Sequence, residues 1–102
     1  MQEVLVKGLE NGALHVLLSG EIDLGNAEEF YTTVTAAYKE TPADLYFDCE
    51  QLNFIDSTTL GTFVKILKAV KTDGYKMTLA RLQPKIKKLF LICSLDSIME
   101  IL

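Results

Sequence analysis

Three times along these 102 residues a short apolar run gives way to a polar break, then to a segment whose apolar residues recur at intervals of three and four. The runs are "ALHVLLSG", "DLYFDCE" and "YKMTLA", and the helical-period segments are residues 26–40, 57–71 and 83–94. No other feature restricts the fold as much. Strands joined through helices must lie parallel, and right-handed crossovers pack those helices onto the sheet. Ahead of the first unit, "EVLVKGLENGALHVLLSG" sets Asn11-Gly12 between two apolar runs, a pair that takes the positive φ angles of a tight turn. Residues 3–7 and 13–19 should therefore pair antiparallel, with His15, Ala13 and Leu17 on the less apolar face. The closing "SIMEIL" reads as a last strand or a helical tail. One α/β domain spanning residues 1–102 is predicted: an N-terminal β-hairpin feeding a mixed, mostly parallel sheet covered by helices.

The periodicity also assigns faces. In the first helix Ala27, Phe30, Tyr31, Val34, Ala37 and Tyr38 point to the core, and Glu28 and Glu29 occupy the first turn, where the helix dipole favours acids. In the second, Leu60, Phe63, Val64, Leu67 and Val70 form the buried stripe, while Thr58, Thr62, Lys65 and Ala69 face outward. Pro84 stands near the start of the third, which should bury Ile86, Leu89, Phe90 and Cys93.

With 49% hydrophobic and 24% charged residues the chain can bury one core. Charges interrupt the apolar start "MQEVLVKGLE", so it is no signal peptide, and no apolar run reaches the ~18 residues of a membrane span. The chain reads as cytoplasmic, and Cys49 and Cys93 as small buried residues in preference to a disulfide. The net charge of −4 hides a split: residues 1–56 carry eleven acids against Lys7 and Lys39, and residues 57–102 three acids against eight bases. That suits two electrostatic faces and lacks the basic excess of a nucleic-acid binder.

In parallel sheets, functional groups gather in the loops that lead from strands into helices. Two such loops are unusually polar, Gly20-Glu21-Ile22-Asp23 and Asn53 to Thr59, and neighbouring strands would set them side by side. In the second, Asp56, Ser57, Thr58 and Thr59 crowd a helix start that needs one cap, a role open to Asp56 or Ser57. Thr58, turned from the apolar stripe, neither caps well nor packs. A small hydroxylated surface around one serine suits docking by another protein, and Gly61 would let a partner backbone or a neighbouring loop come close.

Catalytic patterns are missing. No phosphate loop, dinucleotide fingerprint, HExxH or CxxC is present, and a lone mid-strand His15 supplies neither a triad base nor a metal site. Asp48 could pass for the phosphoacceptor of a receiver domain, but the first strand leads into "KGLENG" and not into the acidic pair that magnesium needs there. No cofactor is implied.

"GEID" at 20–23, "FIDSTTLG" at 54–61 and "PKIKKLFLICSLDSIMEI" at 84–101 together resemble the anti-sigma-factor antagonist family, the stand-alone STAS domains of bacterial partner-switching systems, from end to end. The resemblance implies that Ser57 is a phosphorylation site, with Asp56 its motif aspartate and Glu21 and Asp23 the acids of the Gly-Glu-Ile-Asp motif. It implies binding of an anti-sigma serine kinase by the unmodified protein, release on phosphorylation, and a serine phosphatase that restores the serine. Glu21, Asp23, Asp56, Thr58, Thr59, Gly61 and Thr62 are then the partner-binding residues. Thr59 stands where the family usually has glycine. Two other readings fit the same residues: a STAS-like subunit on a membrane transporter with Ser57 unmodified, and a small α/β enzyme using Glu21, Asp23 and Asp56 as acid and base.

Overall fold

The computed structural model describes residues 3–102. Met1 and Gln2, at the start of the expected domain, lie outside them. The hairpin strands are β1 (Val4–Glu10) and β2 (Ala13–Ile22). Both turn residues have positive φ, 53° at Asn11 and 82° at Gly12, as a tight hairpin of this twist requires. Then follow α1 (Ala27–Glu40), β3 (Asp44–Ile55), α2 (Ser57–Thr72), β4 (Met77–Ala80), α3 (Pro84–Ile92), a single 3-10 turn at Leu95–Ser97 and β5 (Glu100–Ile101). The chain thus ends on a strand.

The sheet order is β1-β2-β3-β4-β5, antiparallel at the first pair and parallel at the other three. Each crossover steps the same way across the sheet, so right-handed connections place all three helices on one face. The aromatic core shows this directly. Phe47 of β3 meets Phe30 of α1 and Phe63 of α2 edge-on, and Phe63 meets Phe90 of α3. Leu14, Val16, Leu18, Leu45 and Leu79 complete that buried layer.

The opposite sheet face carries no helix and is roofed by its own side chains. His15 stacks on Tyr46 with ring centres 4.5 Å apart, and Arg81 reaches from the end of β4 to Asp48 and Glu50. Although desolvation opposes it, the Arg81 guanidinium holds the Asp48 carboxyl below its ordinary value. Asp48 is tied up in this ion pair. His15 also contacts Glu10 at 3.4 Å, and among the described residues no cluster of His, Cys, Asp and Glu has metal-site geometry.

Several assignments shift. β2 and β3 run three and five residues beyond their predicted ends, because pairing of Ser19–Ile22 with Gln51–Ile55 continues the ladder past register shifts. In α2, Ile66 takes a place in the buried stripe and Val64 is only half-buried. Thr62, read as outward-facing, is 6% exposed; its hydroxyl donates to the Thr58 carbonyl within the helix, so it can be buried without an unpaired group. Leu89 and Cys93 of the third helical segment are exposed: Leu89 lies within α3 on a face that opens to the surface beside Phe54, and Cys93 follows the helix end at Ile92, so α3 buries only Ile86 and Phe90. Cys49 is buried, and burial pushes its thiol up to about 12.

Candidate functional site

Parallel pairing brings the carboxyl ends of β2 and β3 to the same edge, with Ile22 opposite Ile55. The two polar loops are consequently neighbours. What joins them is a set of hydrogen bonds centred on Asp56. One of its oxygens accepts from the Thr59 N–H at 3.0 Å, capping α2, and the other accepts from the Leu24 N–H at 2.9 Å, across 32 residues. The Thr59 bond first, and the Leu24 bond with it, hold the Asp56 carboxyl below its ordinary value. The cap is therefore Asp56 and not Ser57.

Thr59 is wholly buried. Its hydroxyl donates to the Ile22 carbonyl at the end of β2 and lies 3.0 Å from Asp56 Oδ1. This corrects its place among the contact residues: the side chain faces inward and fastens the start of α2 to β2. Thr62 is buried as well, at 6% exposed, but it lines the groove between α1 and α2.

The β2–α1 loop is braced from its other side by Asn26. The Asn26 carbonyl oxygen of the side chain accepts from the Asp23 N–H at 2.8 Å, and its amide donates to the Glu21 carbonyl at 2.9 Å. Asp23 accepts at a carboxylate oxygen from the Gly25 N–H at 2.9 Å, and Glu21 is exposed at the penultimate residue of β2. Both acids thus border the loop, one half-buried and one exposed.

Ser57, Thr58 and Gly61 remain at the surface. Among the described residues the Ser57 hydroxyl has no hydrogen-bond partner, and a Cβ placed on Gly61 would meet nothing within 4 Å. Tight packing within the domain is therefore not what Gly61 serves. Of the four polar residues at the helix start, one caps, one anchors, and two are free.

Beside them lies a groove of about 420 Å³ between the first turns of α1 and α2. Tyr31 and Thr32 line one wall, Thr58 and Lys65 the other, with the Lys65 ammonium 4.7 Å above the Tyr31 ring. Leu24 stands at its mouth with 75% of its surface exposed. Sequence reasoning missed Leu24. The available signal was an apolar residue in "IDLGNAEEF" that belongs to neither the strand alternation nor the helical stripe.

The arrangement offers an exposed, unbonded hydroxyl at a helix start capped by its neighbour Asp56, beside the loop that carries Glu21, Asp23 and the exposed Leu24.

The STAS domain family profile matches residues 6–102. An anti-sigma-B factor antagonist of Bacillus subtilis is 34% identical over 96 residues, covering 94% of this chain and 86% of that protein. Among solved structures, an anti-sigma factor antagonist from Mycobacterium paratuberculosis superposes with a TM-score of 0.84 at 20% identity, over 96% of this chain and 82% of that one. The Bacillus cell fate determinant SpoIIAA in its phosphorylated form does so with a TM-score of 0.75 at 18% identity, over 97% and 90%.

Proposed function

This chain belongs to the STAS domain family, in its branch of anti-sigma factor antagonists, and from that premise we propose that it is a phosphorylation-controlled partner switch. Unmodified, it binds an anti-sigma serine kinase and so frees a sigma factor. Phosphorylated on Ser57 by that kinase with ATP, it is released, and a serine phosphatase restores it. The protein itself is non-catalytic and works in the cytoplasm; among the described residues no helix is long and apolar enough to cross a membrane.

The observation that carries this reading is Ser57 itself. It is exposed and without a hydrogen-bond partner because Asp56 has taken the cap, so its hydroxyl serves no structural purpose in the fold. A phosphoryl group there adds about −1.5 to −2 charge beside Asp56, next to the loop that carries Glu21 and Asp23. Two unit charges ~5 Å apart repel by ~1 kcal/mol in water and ~3 kcal/mol at an effective dielectric of 20. The modification therefore costs little in the free domain, where free N–H groups of the helix start partly offset it, and more once docking expels water. Glu21, Asp23, Thr58 and Gly61 form the contact surface with Leu24 and the adjoining groove.

Incubation with the anti-sigma kinase encoded beside it and ATP, followed by peptide mapping, tests the assignment. One phosphoryl group should appear, on Ser57. Phosphate on Thr58, or no transfer at all, would contradict it, and copurification with a membrane transporter would favour the transporter-subunit reading.

A further inference from the structure

We infer that Asp56 and Thr59 form a clasp that positions Leu24, and that Leu24 is the residue through which this clasp governs docking of the anti-sigma kinase. The inference rests on the partner-switch reading and adds a named contact to it.

Leu24 has the largest exposed fraction of any large apolar side chain in the described residues, 75%, yet its backbone is held. Its N–H is bound by Asp56 Oδ2 from 32 residues away, and the strand end just before it is bound through the Ile22 carbonyl by the Thr59 hydroxyl. An exposed leucine in a free loop would cost ordering entropy on binding. Here that ordering is already supplied by the helix start that bears Ser57. The same carboxylate that caps α2 thus makes the serine and the leucine parts of one rigid surface. Threonine at 59 strengthens the joint, since its hydroxyl reaches the Ile22 carbonyl at the end of β2.

Asp56→Asn isolates the clasp from the cap. Asparagine caps helices as well as aspartate, and its one carbonyl oxygen can serve the Thr59 N–H, but its amide then presents a second donor to the Leu24 N–H. The helix should remain while the loop is released. Amide hydrogen exchange should show Leu24 at least tenfold faster in Asp56→Asn, with core amides of β3 unchanged. Thr59→Val should have a smaller effect of the same kind, and Thr59→Ser, which keeps the hydroxyl, should not.

Affinity for the purified kinase is then measured for the parent, Leu24→Ala, Asp56→Asn and the double variant. If Asp56 acts through Leu24, each single variant binds at least tenfold more weakly and the double variant no worse than Leu24→Ala. Losses that multiply in the double variant, or an unchanged Leu24 exchange rate in Asp56→Asn, overturn the clasp. A parent that fails to bind the kinase overturns the partner-switch reading itself, and the docking role of Leu24 with it.

Discussion

Two hydroxyl residues, Ser57 and Thr59, lie two positions apart at the same helix start, and removing their oxygens should have opposite consequences. Thr59→Val is nearly isosteric and keeps the buried volume. What it deletes is a hydroxyl, fully buried, that donates to the Ile22 carbonyl. Ile22 is itself buried, so no water can replace the lost donor. A buried polar group left without its partner costs ~1 to 3 kcal/mol. For 102 residues at ~2.1 cal/mol/K each, the unfolding entropy is ~0.2 kcal/mol/K, which converts that cost into a fall of ~5 to 14 °C in melting temperature. Ser57→Ala removes an exposed hydroxyl with no partner from a helix already capped by Asp56. Its stability should stay within ~0.5 kcal/mol of the parent, and alanine's better helix propensity favours the stable side. Differential scanning calorimetry of the two variants decides the matter. A Thr59→Val protein melting within about 2 °C of the parent, or a Ser57→Ala protein falling as far as Thr59→Val should, would refute the division of labour between these hydroxyls.

Three further outcomes follow from the same contacts. Tyr38 donates to Asp73 Oδ2 at 2.6 Å, and burial first, then this bond, push its phenol up to about 12. The folded chain keeps a proton that the unfolded chain releases near pH 10, so this contribution is whole below pH 10 and is lost as pH climbs toward about 12. Denaturant titrations across that window should show the decline, and Tyr38→Phe should flatten it. Asp56 works with the opposite sign: its lowered carboxyl stabilises the fold above the unfolded aspartate value near ~3.9 and loses that effect as pH falls through the folded one, so Asp56→Asn should resist mild acid better than the parent, relative to each protein's neutral stability. Of the two cysteines, Cys93 is exposed and Cys49 buried with a raised thiol. A thiol reagent should label one site per native chain at pH 8, identified by peptide mapping as Cys93, and both after unfolding.

Where local pattern and global packing ask for the same thing, the chain was readable. The three strand-to-helix units, the Asn11-Gly12 turn and the adjacency of the two polar loops all follow from period and handedness alone. Periodicity was less informative about which hydroxyls face inward. The stripe read from Leu60, Phe63, Val64, Leu67 and Val70 puts Thr62 on the far side; with Thr59 and Ile66 buried, the real stripe is turned toward it. The resemblance puts Thr59 among the contact residues, whereas its burial depends on a carbonyl at the end of β2, 37 residues away, that accepts a hydrogen bond from its hydroxyl. The Asp56 bond to Leu24 is equally non-local, and it converts an unremarked loop leucine into a fixed feature of the surface. Leu89 and Cys93 misled in the other direction. They continue the apolar spacing of α3, but Leu89 sits on a face of the helix that opens to the surface beside Phe54, and Cys93 lies past the helix end at Ile92.

The central claim is that Ser57 is a switch for association and not a part of the fold. Its most direct test is calorimetric titration of the purified anti-sigma kinase with the unmodified protein, with the protein phosphorylated on Ser57, and with Ser57→Ala. Unmodified protein and the alanine variant should bind alike. The phosphorylated form should bind at least tenfold more weakly, a loss of ~1.4 kcal/mol, and the gap should narrow at high salt where the contact rim stays hydrated. Equal affinities for the phosphorylated and unmodified proteins would contradict the account.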